Sequence, residues 1–208
     1  YYNPNRMHFG VLRVLNDDSI AGGKGFGTHP HDNMEIITIP LEGALAHKDN
    51  MGNGTIIKKG DIQVMSAGTG ITHSEFNSNE DHAVKVLQIW LFPNKKNVTP
   101  RYDQLSLKDI EVKNEFYQIL SPNQNDQGVW IYQNSWFSMA EFDSDKEVNY
   151  KLNLTSNGVY IFVIEGEIKV GKESLGKRDG FGIWNTEKIN ISALKGAKIL
   201  LMELPMSV

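Results

Sequence analysis

Six histidines punctuate the chain, His8, His29, His31, His47, His73 and His82, and all of them lie within the first 82 residues. His29-Pro30-His31 is an HxH pair. On a strand, the two-residue period sends both imidazoles to one face. Thr72-His73-Ser74-Glu75 repeats that geometry as HxE. Two adjacent strands could therefore aim three imidazoles and one carboxylate at a single point. Such a donor set suits a divalent first-row metal: imidazole matches Fe, Zn, Cu and Ni, and an added carboxylate favours an open octahedral site over a closed structural one. Four protein ligands on an octahedron leave two positions for water, O2 or substrate. A lone histidine is usually a hydrogen-bonded surface or core residue, and His8, His47 and His82 are read that way.

Composition narrows the alternatives. There is no cysteine, so disulfides, thiolate metal sites and cysteine nucleophiles are excluded together, and an oxidising compartment gains no support. The balance of 21 basic against 25 acidic residues gives a net charge of −4, the wrong sign for a general nucleic-acid surface. No apolar stretch approaches the ~20 residues of a membrane-spanning helix. Cytoplasmic residence without direct nucleic-acid or membrane contact is the expectation. The run Gly22-Gly23-Lys24-Gly25-Phe26-Gly27 lacks the preceding strand, the following helix and the Gly-Lys-Ser/Thr ending of a phosphate loop.

The elements that must position the histidines read as strands. Met34–Ile39, Val84–Phe92 and Val159–Ile164 are short and rich in β-branched or aromatic residues. Turn signals stand at Asn16-Asp17-Asp18, Met51-Gly52-Asn53-Gly54, Gly68-Thr69-Gly70 and Asn157-Gly158. The best helix candidate is a short one around Asp103–Ile110. If Lys85 points outward, then Val86, Gln88 and Trp90 point inward and could line a cavity. Eleven of the 19 glycines fall at or before Gly70 and none between Ile71 and Gln127, which fits a domain boundary near residues 112–122. A faint internal repeat supports two halves. Leu41-Glu42-Gly43 resembles Ile164-Glu165-Gly166, and each is followed by a turn, Lys59-Gly60-Asp61 and Arg178-Asp179-Gly180.

The spacing also resembles a known superfamily. Gly23-(five)-His29-Pro30-His31-(three)-Glu35-(seven)-Gly43 resembles the first cupin motif, with one extra residue before its last glycine. Gly60-(twelve)-His73-(three)-Asn77 resembles the second, with Ser66 where many cupins have proline. More narrowly, the stretches THPHDNMEIITIPLEGALAHKDNMGNG, GDIQVMSAGTGITHSEFN and VLQIWLFPNKKNVTPRY are similar to the pirin family, in particular its bacterial quercetinase-like branch. Together they cover most of residues 26–102, and the resemblance implies a further segment ahead of Tyr1.

The resemblance implies an all-β bicupin: two stacked cupin-type β-barrels with little helix. Residues 1–115 would form a metal-binding barrel and residues 116–208 a cupin-like barrel without metal. The implied metal ligands are His29, His31, His73 and Glu75. Many cupins use the first-motif glutamate instead, here Glu35, which is read as a neighbour of the site; Gln88 and Trp90 are read as pocket residues. Counting from the repeat, His29 and His31 correspond to Leu152 and Leu154, and His73 and Glu75 to Ile191 and Ala193, all apolar. The implied activity is metal-dependent dioxygenation of a flavonol such as quercetin by O2, with Fe(II) the first choice among Fe, Mn, Ni, Co, Cu and Zn. Glu75 would be the catalytic base. Pirins also imply an alternative, a metal-dependent regulatory binding protein with a protein partner and no catalysis. A sugar-phosphate cupin would want basic residues at the metal, for which Lys24 is the obvious candidate.

Overall fold

A computed structural model describes residues 3–4 and 7–207. Contacts divide the chain into two units that interleave in sequence. Of the described residues, the first holds 3–4, 7–8, 12–109 and 129–133, and the second holds 9–11, 110–128 and 134–207. No helix among the described residues is long and apolar enough to cross a membrane.

The first unit contains β1 (Leu12–Ile20), β2 (Gly25–His31), β3 (Glu35–Glu42), β4 (Ala44–Asp49), β5 (Gly54–Lys58), β6 (Asp61–Ser66), β7 (Ile71–Asn77), β8 (Val84–Leu91) and β9 (Arg101–Ser106). They form two sheets, ordered β1-β8-β3-β6-β9 and β2-β7-β4-β5. Between the sheets pack Met34, Ile36, Met65, Ala67 and Ile71, and beside them Ile20, Leu45, Val84 and Val86. The short β11 (Val129–Trp130) belongs to this unit as well. The second unit contains β10 (Tyr117–Ser121), β12 (Trp136–Glu141), β13 (Lys146–Lys151), β14 (Asn157–Glu165), β15 (Ile168–Val170), β16 (Glu173–Leu175), β17 (Gly180–Ile183), β18 (Lys188–Ala193) and β19 (Lys198–Pro205). Its sheets run β10-β12-β19-β14-β17 and β13-β18-β15-β16. A single apolar cluster from Ala140 to Leu201 fills the space between them. The fold is all-β and cupin-like, but each unit is a jelly-roll-like pair of facing sheets, not a closed barrel.

The internal repeat is a repeat of topology. β1-β8-β3-β6 in the first unit corresponds to β12-β19-β14-β17 in the second, and β2-β7-β4-β5 to β13-β18-β15-β16. Even an irregularity recurs: the register shifts between Pro40 and Glu42 in β3 and between Val163 and Glu165 in β14. Each strand is followed by a glycine with positive φ, Gly43 at 74° and Gly166 at 75°. Only glycine adopts that left-handed corner without strain.

Three local expectations are corrected. Asn16-Asp17-Asp18 is no turn but the middle of β1, paired with Val86, Leu87 and Gln88. β1 is an edge strand, where polar residues are favoured because they blunt further pairing. The Asn157-Gly158 signal opens β14, and the turn precedes it, closed by the bond from the Asn157 N–H to Leu154 O at 3.0 Å. The expected helix over Asp103–Ile110 is mostly strand. β9 pairs with β6 from Ser66↔Arg101 to Asp61↔Ser106, leaving one 3-10 turn at Leu107–Asp109. Side chains two apart bond along β9, Arg101 to Asp103 at 2.8 Å and Tyr102 to Gln104 at 2.8 Å, a strand periodicity. The Met51–Gly54 and Gly68–Gly70 signals do connect β4 to β5 and β6 to β7.

Candidate metal centre

β2 lies at the edge of its sheet, with a register shift between Phe26 and His29. An edge position accommodates Pro30, which has no N–H to give to a ladder. Pairing of β2 with β7 sets His29 opposite His73 and His31 opposite Ile71. β7 also pairs with β4 on its other side, setting Glu75 opposite His47 and His73 opposite Asp49. The inward faces of β2, β7 and β4 thus carry His29 and His31, His73 and Glu75, and His47 and Asp49 in adjacent columns.

Two groups of donors result. His29, His31 and His73 each present a ligand atom within 4.8 Å of the other two. Their ring centroids are 4.4 to 5.0 Å apart. His47, His73 and Glu75 form a second group under the same limit, so the two share His73. Glu75 therefore gathers with His73 and His47, and the three imidazoles gather among themselves. Glu35 belongs to neither group. It sits buried on β3, accepting a 2.7 Å bond from Ser66 Oγ and another from the Tyr132 N–H. His8 packs edge-on against Phe92, and the His82 carbonyl accepts from Asn77 Nδ2, both apart from these groups.

Hydrogen bonds prepare the donors. His29 donates Nδ1–H to Gly27 O at 2.8 Å, which leaves the Nε2 lone pair free. Gln88 Nε2 donates to Glu75 Oε2 at 2.7 Å, and Trp90 Nε1 donates to Gln88 Oε1 at 3.3 Å. The Trp90 ring also stands edge-on to His31, centroids 4.9 Å apart. Gln88 and Trp90 thus adjoin the donors, whereas Val86 lies in the apolar cluster. Burial, and after it the neighbouring imidazoles, lowers His31 to about 4 and His73 to about 3, so both are neutral at pH 7 and hold lone pairs for a metal. Burial raises Glu75, opposed by the bond from Gln88.

Both ring nitrogens of His73, Nδ1 of His47 and Oε1 of Glu75 are buried without a hydrogen-bond partner among the described residues. Orphaned buried polar atoms are costly. Four clustered on imidazoles and a carboxylate fit a divalent cation.

Sequence reasoning missed two residues here. His47 reads in isolation as a lone histidine, yet His47-Lys48-Asp49 is itself an HxD pair with strand parity. Arg13, on β1, lies near enough to His31 to lower its pKa and places its guanidinium 5.5 Å from the Phe92 centroid. Lys24 is exposed.

In the second unit, register identifies the equivalent positions directly. With Gly166 in the place of Gly43, Ile168 and Val170 of β15 pair with Ala193 and Ile191 of β18, as Leu45 and His47 of β4 pair with Asn77 and Glu75. Glu75 therefore corresponds to Ile191 and His73 to Ile189, while His29 and His31 correspond to Tyr150 and Leu152. Counting misplaces each by two residues. The connection from β13 to β14 spans residues 152–156 where that from β2 to β3 spans only 32–34, and β17 is shorter than β6. All four true equivalents are buried in the apolar cluster, and none is a histidine or carboxylate. Glu203 takes the place of Trp90, fully buried and bonded by Tyr150 Oη, Asn153, the Leu154 N–H and Asn157.

The arrangement of the first unit has relatives. A family model described as Pirin matches residues 1–91, and one described as Quercetinase C-terminal cupin domain matches residues 118–204. A protein of Escherichia coli K12 named quercetin 2,3-dioxygenase is 38% identical over 205 residues, covering 99% of this chain and 87% of its own. The chain belongs to the pirin family. A pirin-like protein of Caulobacter vibrioides is 36% identical over 204 residues, 98% of this chain and 87% of its own. Among solved structures, the bacterial pirin YhhW of E. coli in complex with nickel(II) superposes with a TM-score of 0.92 at 36% identity, covering 100% of this chain and 88% of that one. Membership of the pirins agrees with the resemblance carried by the three stretches between residues 28 and 102.

Proposed function

We propose that this pirin is a metal-dependent dioxygenase that opens the ring of a flavonol such as quercetin with O2. The observation that carries the reading is the convergence of His29, His31 and His73, three imidazoles with donor atoms within 4.8 Å of one another, two of them held neutral. Glu75 completes the ligand set from the neighbouring position on β7. Relatives named quercetin 2,3-dioxygenase support the substrate class.

Residues 1–115 would carry the reaction, and residues 116–208 would form a cupin-like domain without metal. When bound, the ion, Fe(II) in the first instance, supplies Lewis-acid polarisation and a path for electrons between flavonol and O2. The remaining work falls to side chains. Gln88 engages Glu75 Oε2 and leaves Oε1 unpartnered, so Oε1 would hold the ion and, on letting it go, take the flavonol hydroxyl proton. The indole of Trp90, edge-on to His31, offers an aromatic wall against which a flat substrate can rest. Arg13 sets a positive charge near His31, where it favours the deprotonated flavonol.

Oxygen uptake with quercetin, measured on Fe(II)-reconstituted protein beside a His73→Ala control, tests the proposal. Uptake that vanishes with His73→Ala is the expected result. Turnover retained by His73→Ala would sink the site assignment, and absence of uptake by metal-loaded wild type would move the reading to a metal-dependent regulatory protein.

A further inference from the structure

The second donor group asks for its own account, since His47 has no place in the four-ligand set. His47 and Asp49 lie on one face of β4 with side chains wholly shielded from solvent, and His47 Nε2 is 3.1 Å from Asp49 Oδ2. Asp49 is saturated by donors. Its Oδ1 accepts from the N–H groups of Met51 and Asn53 at 2.9 and 3.0 Å, and its Oδ2 also accepts from Asn53 Nδ2 at 2.8 Å. Asp49 accepts in each of these bonds, so His47 donates Nε2–H to Oδ2 and Nδ1 is the nitrogen left to offer a lone pair.

That lone pair is buried and unpartnered among the described residues. A ligand atom of His47 lies within 4.8 Å of one from His73 and one from Glu75. The Tyr102 ring covers His47 at 4.9 Å between centroids, and the His73 ring lies at 5.3 Å. A carboxylate fixing one imidazole nitrogen while the other is left bare is how proteins prepare a histidine to bind metal. His73 has both ring nitrogens unpartnered, so it can serve either group without breaking a hydrogen bond.

We propose that His47, His73 and Glu75, with Asp49 behind His47, form an inner position for a divalent metal ion. It shares His73 and Glu75 with the outer set completed by His29 and His31. An imidazole that keeps its N–H lends one lone pair, so His73 serves one position at a time and a single ion can be held at either depth. Two imidazoles and one carboxylate select a borderline ion such as Co(II), Ni(II) or Zn(II) over Ca(II) or Mg(II). The inference rests on His73 and Glu75 as metal ligands and is independent of any flavonol reaction.

The test removes the outer position and leaves the inner one. His29 and His31 are only partly buried, on an edge strand, so the double variant His29→Ala/His31→Ala should fold, checked by circular dichroism and melting. Equilibrium dialysis with Co(II), together with its visible absorption, should show one equivalent bound, more weakly than in wild type. Adding His47→Gln should abolish that binding. Adding Asp49→Asn instead should weaken it about 10–100-fold. A folded double variant that takes up no Co(II), or one whose Co(II) survives His47→Gln, overturns the inner position. Should the His47→Gln protein not fold, the Asp49→Asn arm decides, and unchanged affinity there overturns it equally. Because every readout is metal binding, a wild type inert toward quercetin refutes the dioxygenase reading alone.

Discussion

At Glu75 the two carboxylate oxygens have different fates: Oε2 is engaged by Gln88 and Oε1 is left for a cation or a proton. Gln88→Leu removes the clamp while preserving volume. Metal affinity should fall about 10–100-fold, read by competition against a chromophoric chelator. Unchanged affinity would mean that packing alone orients Glu75. Glu35 offers a second test at this scale. Burial, against the bond from Ser66, lifts it from 4.5 to about 7. Between those values the folded chain keeps a proton that the unfolded chain has released, so Glu35 costs stability as pH rises through that window. Glu35→Gln cannot ionise. Between pH 5 and pH 8 the wild type should lose up to about 3 kcal/mol relative to the variant, measured by denaturant unfolding at each pH. Parallel pH curves for the two proteins would refute this.

The strand corners carry the repeat. An alanine at either Gly43 or Gly166 must adopt a positive φ, but the surroundings differ. A Cβ on Gly166 would lie 2.7 Å from the Ala197 Cα, whereas on Gly43 the nearest atom is 3.4 Å away. Gly166→Ala should therefore cost about 2–3 kcal/mol and Gly43→Ala about 1, compared by unfolding midpoints. Equal costs would show that backbone strain alone matters. The same elements explain what sequence could reveal. HxH and HxE were legible because a strand has a period of two, so spacing alone sets the facing of a pair. HxD escaped because the weight of His47 and Asp49 comes from β4 pairing beside β7, a long-range fact. Asn16-Asp17-Asp18 misled because local turn preference yields to pairing with β8. The ligand-equivalent positions of the second unit slipped by two because connection lengths, unlike strand registers, are not constrained by the repeat.

For the whole molecule, the histidine cluster couples folding to acidity. Unfolded histidines take protons near 6.5, while folded His31 and His73 stay neutral down to about 4 and about 3. As pH falls through that interval the unfolded chain binds more protons, so stability declines. Glu35 works in the opposite direction, and its substitution isolates the effect. Metal-free Glu35→Gln protein should lose melting temperature steadily from pH 7 to pH 4, and adding His73→Asn should flatten the descent. An equally steep descent without His73 would place the acid sensitivity elsewhere. Saturating metal should raise the melting temperature at pH 7, following the mass-action term for a ligand that binds only the folded chain.

Among the described residues, strand β2 is bordered on one side only, by β7, and most of its residues face solvent. His31 has the Trp90 ring beside it, and His29 is held by its bond to Gly27 O. An ion bridging those two rings to His73 on β7 would act as a clasp across the outermost seam of the sheet. Chelation would then do more than empty the site: it would let the rim fray. Amide hydrogen exchange should quicken along residues 25–31 when the ion is withdrawn, while β3 and β8 keep their protection. The frayed rim would also be the place where a protease first finds the chain and where a second strand could add itself.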